Sequence, residues 1–276
     1  ALEQPVKVAF LGPEGTFTQE AALKHFGHSA LAVPLGAIDE VFREVAAGAV
    51  NYGVVPVENS TEGMINHTLD TFLDSTLKIC GEVELRVRLN LLVGEGGSEQ
   101  AITRICAHQQ ALAQSRRWLD ANFPNVERVA VSSNGEAARM AAEQKGIAAI
   151  AGDLAAQQYG LSKLAVNIED QPDNTTRFLV IGKEDVSASG RDKTSIVVSA
   201  HNRPGALFKL LEPFEQANVM LTRIDTRPSR TETWTYVFFI EFEGHQNDPK
   251  VADILDTIAQ QTVMCKILGS YPKAAL

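Results

Sequence analysis

The sequence predicts an α/β protein in two parts: a two-lobed α/β body over residues 1–182 and a ferredoxin-like βαββαβ unit over 193–276. Three observations carry this. Short apolar runs alternate with amphipathic stretches of about 10–15 residues through the first part, the rhythm of a parallel sheet with crossover helices. Two extended runs break that rhythm and carry the chain between sheets. Beyond "KEDVSASGRD" (183–192), which has the composition of a linker, the order becomes strand, helix, strand, strand, helix, strand.

Taken in order, "VKVAFLG" leads through "PEGT" into the helix "FTQEAALKHFG", and "YGVVPVEN" leads through "STEG" into "MINHTLDTFL". "VELRVRLNLLVG" alternates apolar and polar residues, as a long strand leaving the first sheet does. "ITRICA" then leads into one helix, "ALAQSRRWLDANF", "VERVAV" into "EAARMAAEQKG", and "AAIAG" into "DLAAQQYG". "NTTRFLVIG" is the returning strand. The crossings define lobes of 1–95 with 172–182 and of 96–171, with a ligand cleft expected between them. In the last part "KTSIVVSA" is a strand and "RPGALFKLLEPFEQANV" a helix. "MLTRIDTRPSR" and "TWTYVFFIEFEG" form a strand pair, followed by the helix "DPKVADILDTIAQQ" and the strand "VMCKILGSYP". This is the ferredoxin-like arrangement. Pro213 inside its first helix predicts a kink.

With 276 residues and 45% hydrophobic content, the chain can build ordinary packed cores. Its apolar runs are too short for a membrane span, and its first residues lack a signal-peptide pattern. Three cysteines without CxxC spacing argue against a disulfide framework or a zinc site and for a reduced, cytoplasmic setting. The net charge of −9 argues against a nucleic-acid partner. Residues 1–182 carry 14 basic and 22 acidic side chains, so an anion bound there needs local donors rather than a positive field.

Those donors gather at strand ends and helix starts, where α/β folds bind ligands. "VPVENST" supplies Glu58, Asn59, Ser60 and Thr61, and Glu58 would be partly desolvated beside "VVPV". "GPEGTFTQ" lacks both common nucleotide-loop spacings; Thr16 and Gln19 form a capping box there or touch a small anion. "ICAHQQALAQS" offers His108, Gln110 and Gln114, with Cys106 read as a buried small residue rather than a nucleophile. "SSNGEAA" reads as a helix cap at Ser133 or Asn134. Thr175, Thr176 and Arg177 sit where a turn becomes an apolar strand. The other histidines show no metal-ligand spacing, so neither metal nor organic cofactor is expected, and the residues suit a small hydroxylated polyanion.

At "NTTRFLVIG" the chain resembles the prephenate dehydratases through their Thr-Arg-Phe motif. "VAFLGPEGTFT", "YGVVPVENSTEG" and "LAVNIEDQPDNTTRFLVIG" resemble other segments of that family, and "HNRPGALFKLL" and "IDTRPSR" resemble the signatures of its ACT regulatory domain. The resemblance implies a catalytic domain similar to type 2 periplasmic-binding proteins and a cofactor-free conversion of prephenate to phenylpyruvate. It implies catalytic roles for Thr176, Glu58, Asn59 and Gln114, and substrate contacts from Thr16, Ser60, Thr61, His108, Thr175 and Arg177. Arg177 either pairs with a substrate carboxylate or anchors its loop.

The resemblance also implies inhibition by phenylalanine between paired ACT domains of a homodimer or homotetramer. Its site would comprise Asn202, Pro204, Gly205, Ala206, Leu207 and Phe208, with Asp225, Thr226, Arg227 and Pro228 of a partner. This sequence departs from the family with Ala107 for serine, Ser115 for cysteine and Asp225-Thr226 for Glu-Ser. Its start, "ALEQPVKV", resembles the junction after a chorismate mutase domain, so the chain is expected to be the C-terminal part of a longer protein. Arogenate dehydratase and a non-catalytic small-anion sensor are the alternative functions; turnover of prephenate against arogenate separates them.

Overall fold

The computed structural model describes residues 3–232 and 235–275; Thr233 and Trp234, which open the expected strand "TWTYVFFIEFEG", lie outside them, as do Ala1, Leu2 and Leu276. The first elements are β1 (Lys7–Leu11), α1 (Phe17–Phe26), β2 (Leu31–Leu35), α2 (Ile38–Ala47), β3 (Tyr52–Asn59), β4 (Gly63–Met64), α3 (Asn66–Asp74) and β5 (Lys78–Arg86). Then come β6 (Asn90–Val93), β7 (Arg104–His108), α4 (Gln109–Gln114), α5 (Arg116–Asn122), β8 (Glu127–Val131), α6 (Asn134–Glu143), β9 (Ile147–Ala151), α7 (Asp153–Gln158) and β10 (Ser162–Ala165). The chain closes with β11 (Thr175–Gly182), β12 (Asp192–Ser199), α8 (Ala206–Gln216), β13 (Leu221–Pro228), β14 (Tyr236–Glu243), α9 (Pro249–Gln261) and β15 (Met264–Pro272). No described helix is long and apolar enough to cross a membrane.

The strands run in the orders β2-β1-β3-β11-β5, with β4 beside β3; β10-β6-β9-β7-β8; and β13-β14-β12-β15. The run 83–94 is two strands rather than one. β5 ends in the first sheet and β6 begins in the second. Between them Val87 N–H donates to the Asn174 carbonyl and Leu89 N–H to the Glu169 carboxylate, so local partners replace the ladder. The predicted helix "ALAQSRRWLDANF" is likewise two, α4 and α5, meeting at Ser115. β2 and α2 have no counterpart in the sequence reading.

The chain forms two compact units, 1–41 with 54–64 and 84–178, and 42–53 with 65–83 and 179–276. In the first, the second sheet is buried on both faces, and its strands alternate between two cores. Leu91, Ile105 and Ile150 face one core with Leu119, while Leu92, Cys106 and Ala149 face the other with Ala137 and Ala141. The alanine-lined side lets α6 lie close to the sheet; the aliphatic side supplies about 1.5–3 kcal/mol per fully buried large side chain. Cys106 is fully buried and its thiol pKa is pushed up by burial, so it packs as an inert small residue.

In the second unit, β12-α8-β13-β14-α9-β15 forms the expected antiparallel sheet, with Ile196, Phe214, Ile240 and Ile258 in its core. Helix α8 continues through buried Pro213 to Gln216, so the proline does not end it. Several contacts join this module to α3 and β5. The Arg227 guanidinium donates to both Asp70 carboxylate oxygens, at 2.8 and 2.7 Å, and Arg230 pairs with Asp74 at 2.5 Å. Lys266 donates to the carbonyls of Phe72, Leu73 and Ser75 at the end of α3, where helical acceptors lack partners. Lys193 meets buried Glu82 of β5 at 3.0 Å. Gly269 permits the close approach of β15 to β5: a Cβ there would lie 2.4 Å from the Ile79 carbonyl oxygen.

The Arg227 hydrogen bonds hold the Asp70 carboxyl below the usual carboxylate range. With both side chains roughly four-fifths buried, Asp70→Asn is expected to cost about 1–3 kcal/mol at neutral pH, between the exposed and buried limits. A depressed folded pKa stabilises above the unfolded value of about 4 and loses that contribution as pH falls through the folded value. Denaturant midpoints of the two proteins should therefore converge below about pH 4; a gap unchanged by acid would show that this pair does not contribute.

Candidate active site

The candidate residues meet because β3 and β11 are neighbours in the first sheet. The Asn59 side-chain amide donates to Thr176 Oγ1 at 3.0 Å, joining residues 117 positions apart. Asn59 Oδ1 accepts twice from Thr61, from its hydroxyl at 2.6 Å and its N–H at 3.0 Å. Gln114 Nε2 approaches Thr61 Oγ1 at 3.5 Å. Asn59 is buried, Thr176 and Gln114 are half-buried, and Thr61 is exposed. The donors thus point one way, from Gln114 through Thr61 and Asn59 to Thr176. Because Thr176 Oγ1 receives a hydrogen from Asn59, its own hydrogen is left to point elsewhere.

Beside this chain Arg177 Nε donates to Glu58 at 3.1 Å, with side-chain exposures of 8% and 17%. Glu58 therefore faces a guanidinium as well as the apolar strand. Ser60 N–H donates to the Thr175 carbonyl, and Thr175 N–H donates to Ser60 Oγ at 2.9 Å. Both links continue the β3–β11 alignment past the strand end.

Elsewhere the polar residues build helix entries. Thr16 accepts from Gln19 N–H at 3.4 Å while Gln19 Oε1 accepts from Gly15 N–H at 2.8 Å, a capping box moved back by one donor. His108 caps α4, its Nδ1 accepting from Gln110 N–H, and Ser133 caps α6. Asn134, the alternative cap in the sequence reading, serves otherwise: its Oδ1 accepts from His108 N–H at 2.9 Å and ties α6 to the end of β7. Ser115 Oγ is buried at the α4–α5 junction without a hydrogen-bond partner among the described residues.

The regulatory candidates occupy separate elements. Asn202, Pro204 and Gly205 lie on an exposed loop, with Gly205 in the left-handed region at φ +79° and open space around it. Ala206, Leu207 and Phe208 begin α8, and Phe208 is 70% exposed. Beside them a cavity of about 170 Å³ is lined in part by His201, Arg203 and Lys209, a setting suited to a carboxylate. Asp225, Thr226, Arg227 and Pro228 end β13, with Arg227 engaged by Asp70.

Residues 8–186 match the family model described as prephenate dehydratase, and residues 194–260 match that of the ACT domain. A bifunctional chorismate mutase/prephenate dehydratase of Stutzerimonas stutzeri is 63% identical over 276 residues, 100% of this chain and 76% of that protein. A prephenate dehydratase of Arthrobacter aurescens, solved in complex with L-Phe, superposes with a TM-score of 0.88 at 34% identity, covering 97% of this chain and 90% of that one. GqqA, described as a novel type of quorum-quenching acylase, superposes with a TM-score of 0.88 at 28% identity, covering 97% and 98%.

Breaking a buried ion pair leaves an uncompensated charge, so Arg177→Met is expected to destabilise the fold by about 3–5 kcal/mol. Replacing both partners, Arg177→Met with Glu58→Met, should recover most of that loss. The check is a denaturant titration of all three variants. A stable Arg177→Met protein with raised KM would instead make the guanidinium a substrate ligand.

Proposed function

The chain belongs to the prephenate dehydratase family, and we propose that it converts prephenate to phenylpyruvate under feedback inhibition by phenylalanine. The observation that carries the chemical part is the ordered chain of donors ending at Thr176. Prephenate holds two carboxylates and a ring hydroxyl. In the reaction the ring C–O bond breaks, the electron pair of the ring–carboxylate bond moves into the ring, and carbon dioxide departs. One proton is consumed as hydroxide becomes water. Aromatisation drives the reaction, so the site's task is to hold the leaving groups in position and assist the departure of hydroxide.

A threonine is a weak acid, and its use here is as a hydrogen-bond donor that tightens as charge develops on the leaving oxygen. Asn59 fixes the direction of that donor by occupying a lone pair of Thr176 Oγ1. Thr61 fixes the amide of Asn59, and Gln114 supports Thr61. Such aligned donors polarise one another. Glu58 and Arg177 hold the β3–β11 junction in register through their buried ion pair. Thr16, Ser60, Thr61, His108 and Thr175 supply the remaining contacts to the substrate. Residues 1–182 form the catalytic domain, 183–192 the linker and 193–276 the regulatory domain.

Phenylalanine binds in this reading at the entry of α8, against β13 of a second copy. The exposed Leu207, Phe208 and Ile224 and the position of β13 as an outer strand of its sheet support a dimer or tetramer built through this module. Arg227 lies in the effector segment and grips α3, which follows the Glu58–Met64 hairpin directly in the chain. An effector that prefers one arrangement of this contact shifts the population of the catalytic site.

Thr176→Ala should lower prephenate turnover by at least about a hundredfold, and Thr176→Ser should retain appreciable activity. Formation of phenylpyruvate, followed by absorbance, reads both, with hydrolysis of an N-acyl amide as the control reaction because one fold can host different chemistries. Near-normal activity of Thr176→Ala removes this hydroxyl from the mechanism. A valine at Gly205 is strained by the left-handed backbone, whereas Asn tolerates that region and still fills the open space. Gly205→Asn should raise the phenylalanine concentration for half-inhibition by about tenfold or more, with dehydratase turnover still measurable. An unchanged inhibition curve would place the effector elsewhere.

A further inference from the structure

Asn174, next to the catalytic strand, carries no role in the chemistry described so far. It is 2% exposed. Its backbone closes a turn and ties it to the segment after β5, the N–H donating to the Gln171 carbonyl at 3.3 Å and the carbonyl accepting from Val87 N–H at 2.7 Å. Its side-chain Oδ1 accepts from Ser60 Oγ at 3.1 Å, while its Nδ2 is buried with no hydrogen-bond partner among the described residues. A buried amide NH₂ without an acceptor bears a full desolvation penalty. Turning the amide over would leave Oδ1 unmatched instead, so neither orientation satisfies both ends.

What the two orientations change is the neighbouring hydroxyl. In the observed orientation Ser60 spends its hydrogen on Asn174 Oδ1 and accepts from Thr175 N–H. What it offers outward is a lone pair, which repels a carboxylate. A half-turn of the Asn174 amide brings Nδ2 to Ser60 Oγ in place of Oδ1. Ser60 then receives two hydrogens, one from Asn174 and one from Thr175, which fills both lone pairs and releases its own hydrogen. The exposed hydroxyl changes from acceptor to donor without movement of the backbone.

We propose that Asn174 is a positioning residue whose amide orientation makes Ser60 a hydrogen-bond donor to a carboxylate of the bound substrate. The inference rests on reading this site as one that holds a dicarboxylate. It adds a reason for an asparagine before Thr175. The side chain must both accept from and donate to one hydroxyl, and among residues of this size only an amide does both without carrying charge.

Asn174→Asp separates the two orientations. The ionised carboxylate only accepts, so it keeps the Ser60 hydrogen and withholds it from the substrate. KM for prephenate is expected to rise by about tenfold or more with kcat within about threefold of the parent, as for a lost charge-assisted hydrogen bond. As pH falls, the buried carboxyl takes a proton, regains a donor, and the KM penalty relative to the parent should shrink. The charged groups nearest this position are Asp173, with Arg86 at 3.9 Å, and Arg177, paired with Glu58, and both pairs are kept in the variant.

Ser60→Ala should raise KM to a similar degree at all pH values, and adding Asn174→Asp to it should bring no further pH-dependent change. A KM ratio for Asn174→Asp that is flat with pH, or a Ser60→Ala protein with unchanged KM, overturns the proposal; the second result stands even where the aspartate variant folds poorly. A parent enzyme that neither binds nor converts prephenate overturns the dicarboxylate reading itself and this proposal with it. An active parent with a flat ratio overturns only the role of Asn174.

Discussion

The hydrogen bond from Asn59 to Thr176 is the constraint around which the candidate site is organised. It joins the ends of two strands that are far apart in sequence, so it exists only if the chain leaves the first sheet, builds the second and returns between β3 and β5. The return explains why "NTTRFLVIG" has no helix after it. It also explains a charged residue at the start of a core strand: Arg177 is matched by Glu58 on the neighbouring strand. A hydroxyl could not be aimed by a flexible loop. Here its direction is set by an amide that is buried and held at its other end by Thr61.

Much of this was legible. Strand ends rich in Glu, Asn, Ser and Thr point to a ligand region in any α/β fold, and the capping residues Thr16 and Ser133 announce their helices by type and spacing. Helix α2 was not read, although Ile38, Val41, Phe42 and Val45, all buried, stand at helical spacing in the sequence. Its strand, β2, offered no such pattern: Pro34 interrupts the run and its burial is partial. The break at Ser115 was hidden because nothing local ends the helical pattern there. The cause is tertiary, since Asp170 accepts from the N–H groups of Arg117 and Trp118 and so opens a new helix.

Pairings across the fold are the part that no local pattern reveals. Asp70 reads as a surface residue of a helix, and Arg227 as part of an effector motif. Only the packing of the antiparallel sheet on α3 and β5 brings them together. The same holds for Asn174, whose turn-like surroundings in "QPDN" suggest solvent while the structure buries it between Ser60 and Val87. A sequence reading finds residues suited to chemistry. Which hydroxyl each one directs is a matter of register.

The grip on α3 has a consequence for the ionic environment. Its two ion pairs differ in exposure: the side chains of Arg230 and Asp74 are 53% and 69% exposed, whereas those of Arg227 and Asp70 are 23% and 20% exposed. At physiological ionic strength the screening length is about 8 Å, so mobile ions weaken the outer pair readily and the inner one much less. Lys266, directed at backbone carbonyls, depends on geometry and is the least sensitive of the three. The hold of the antiparallel sheet on α3 is therefore graded: salt loosens the Arg230–Asp74 rim first, the Arg227–Asp70 pair less, and the Lys266 contacts last.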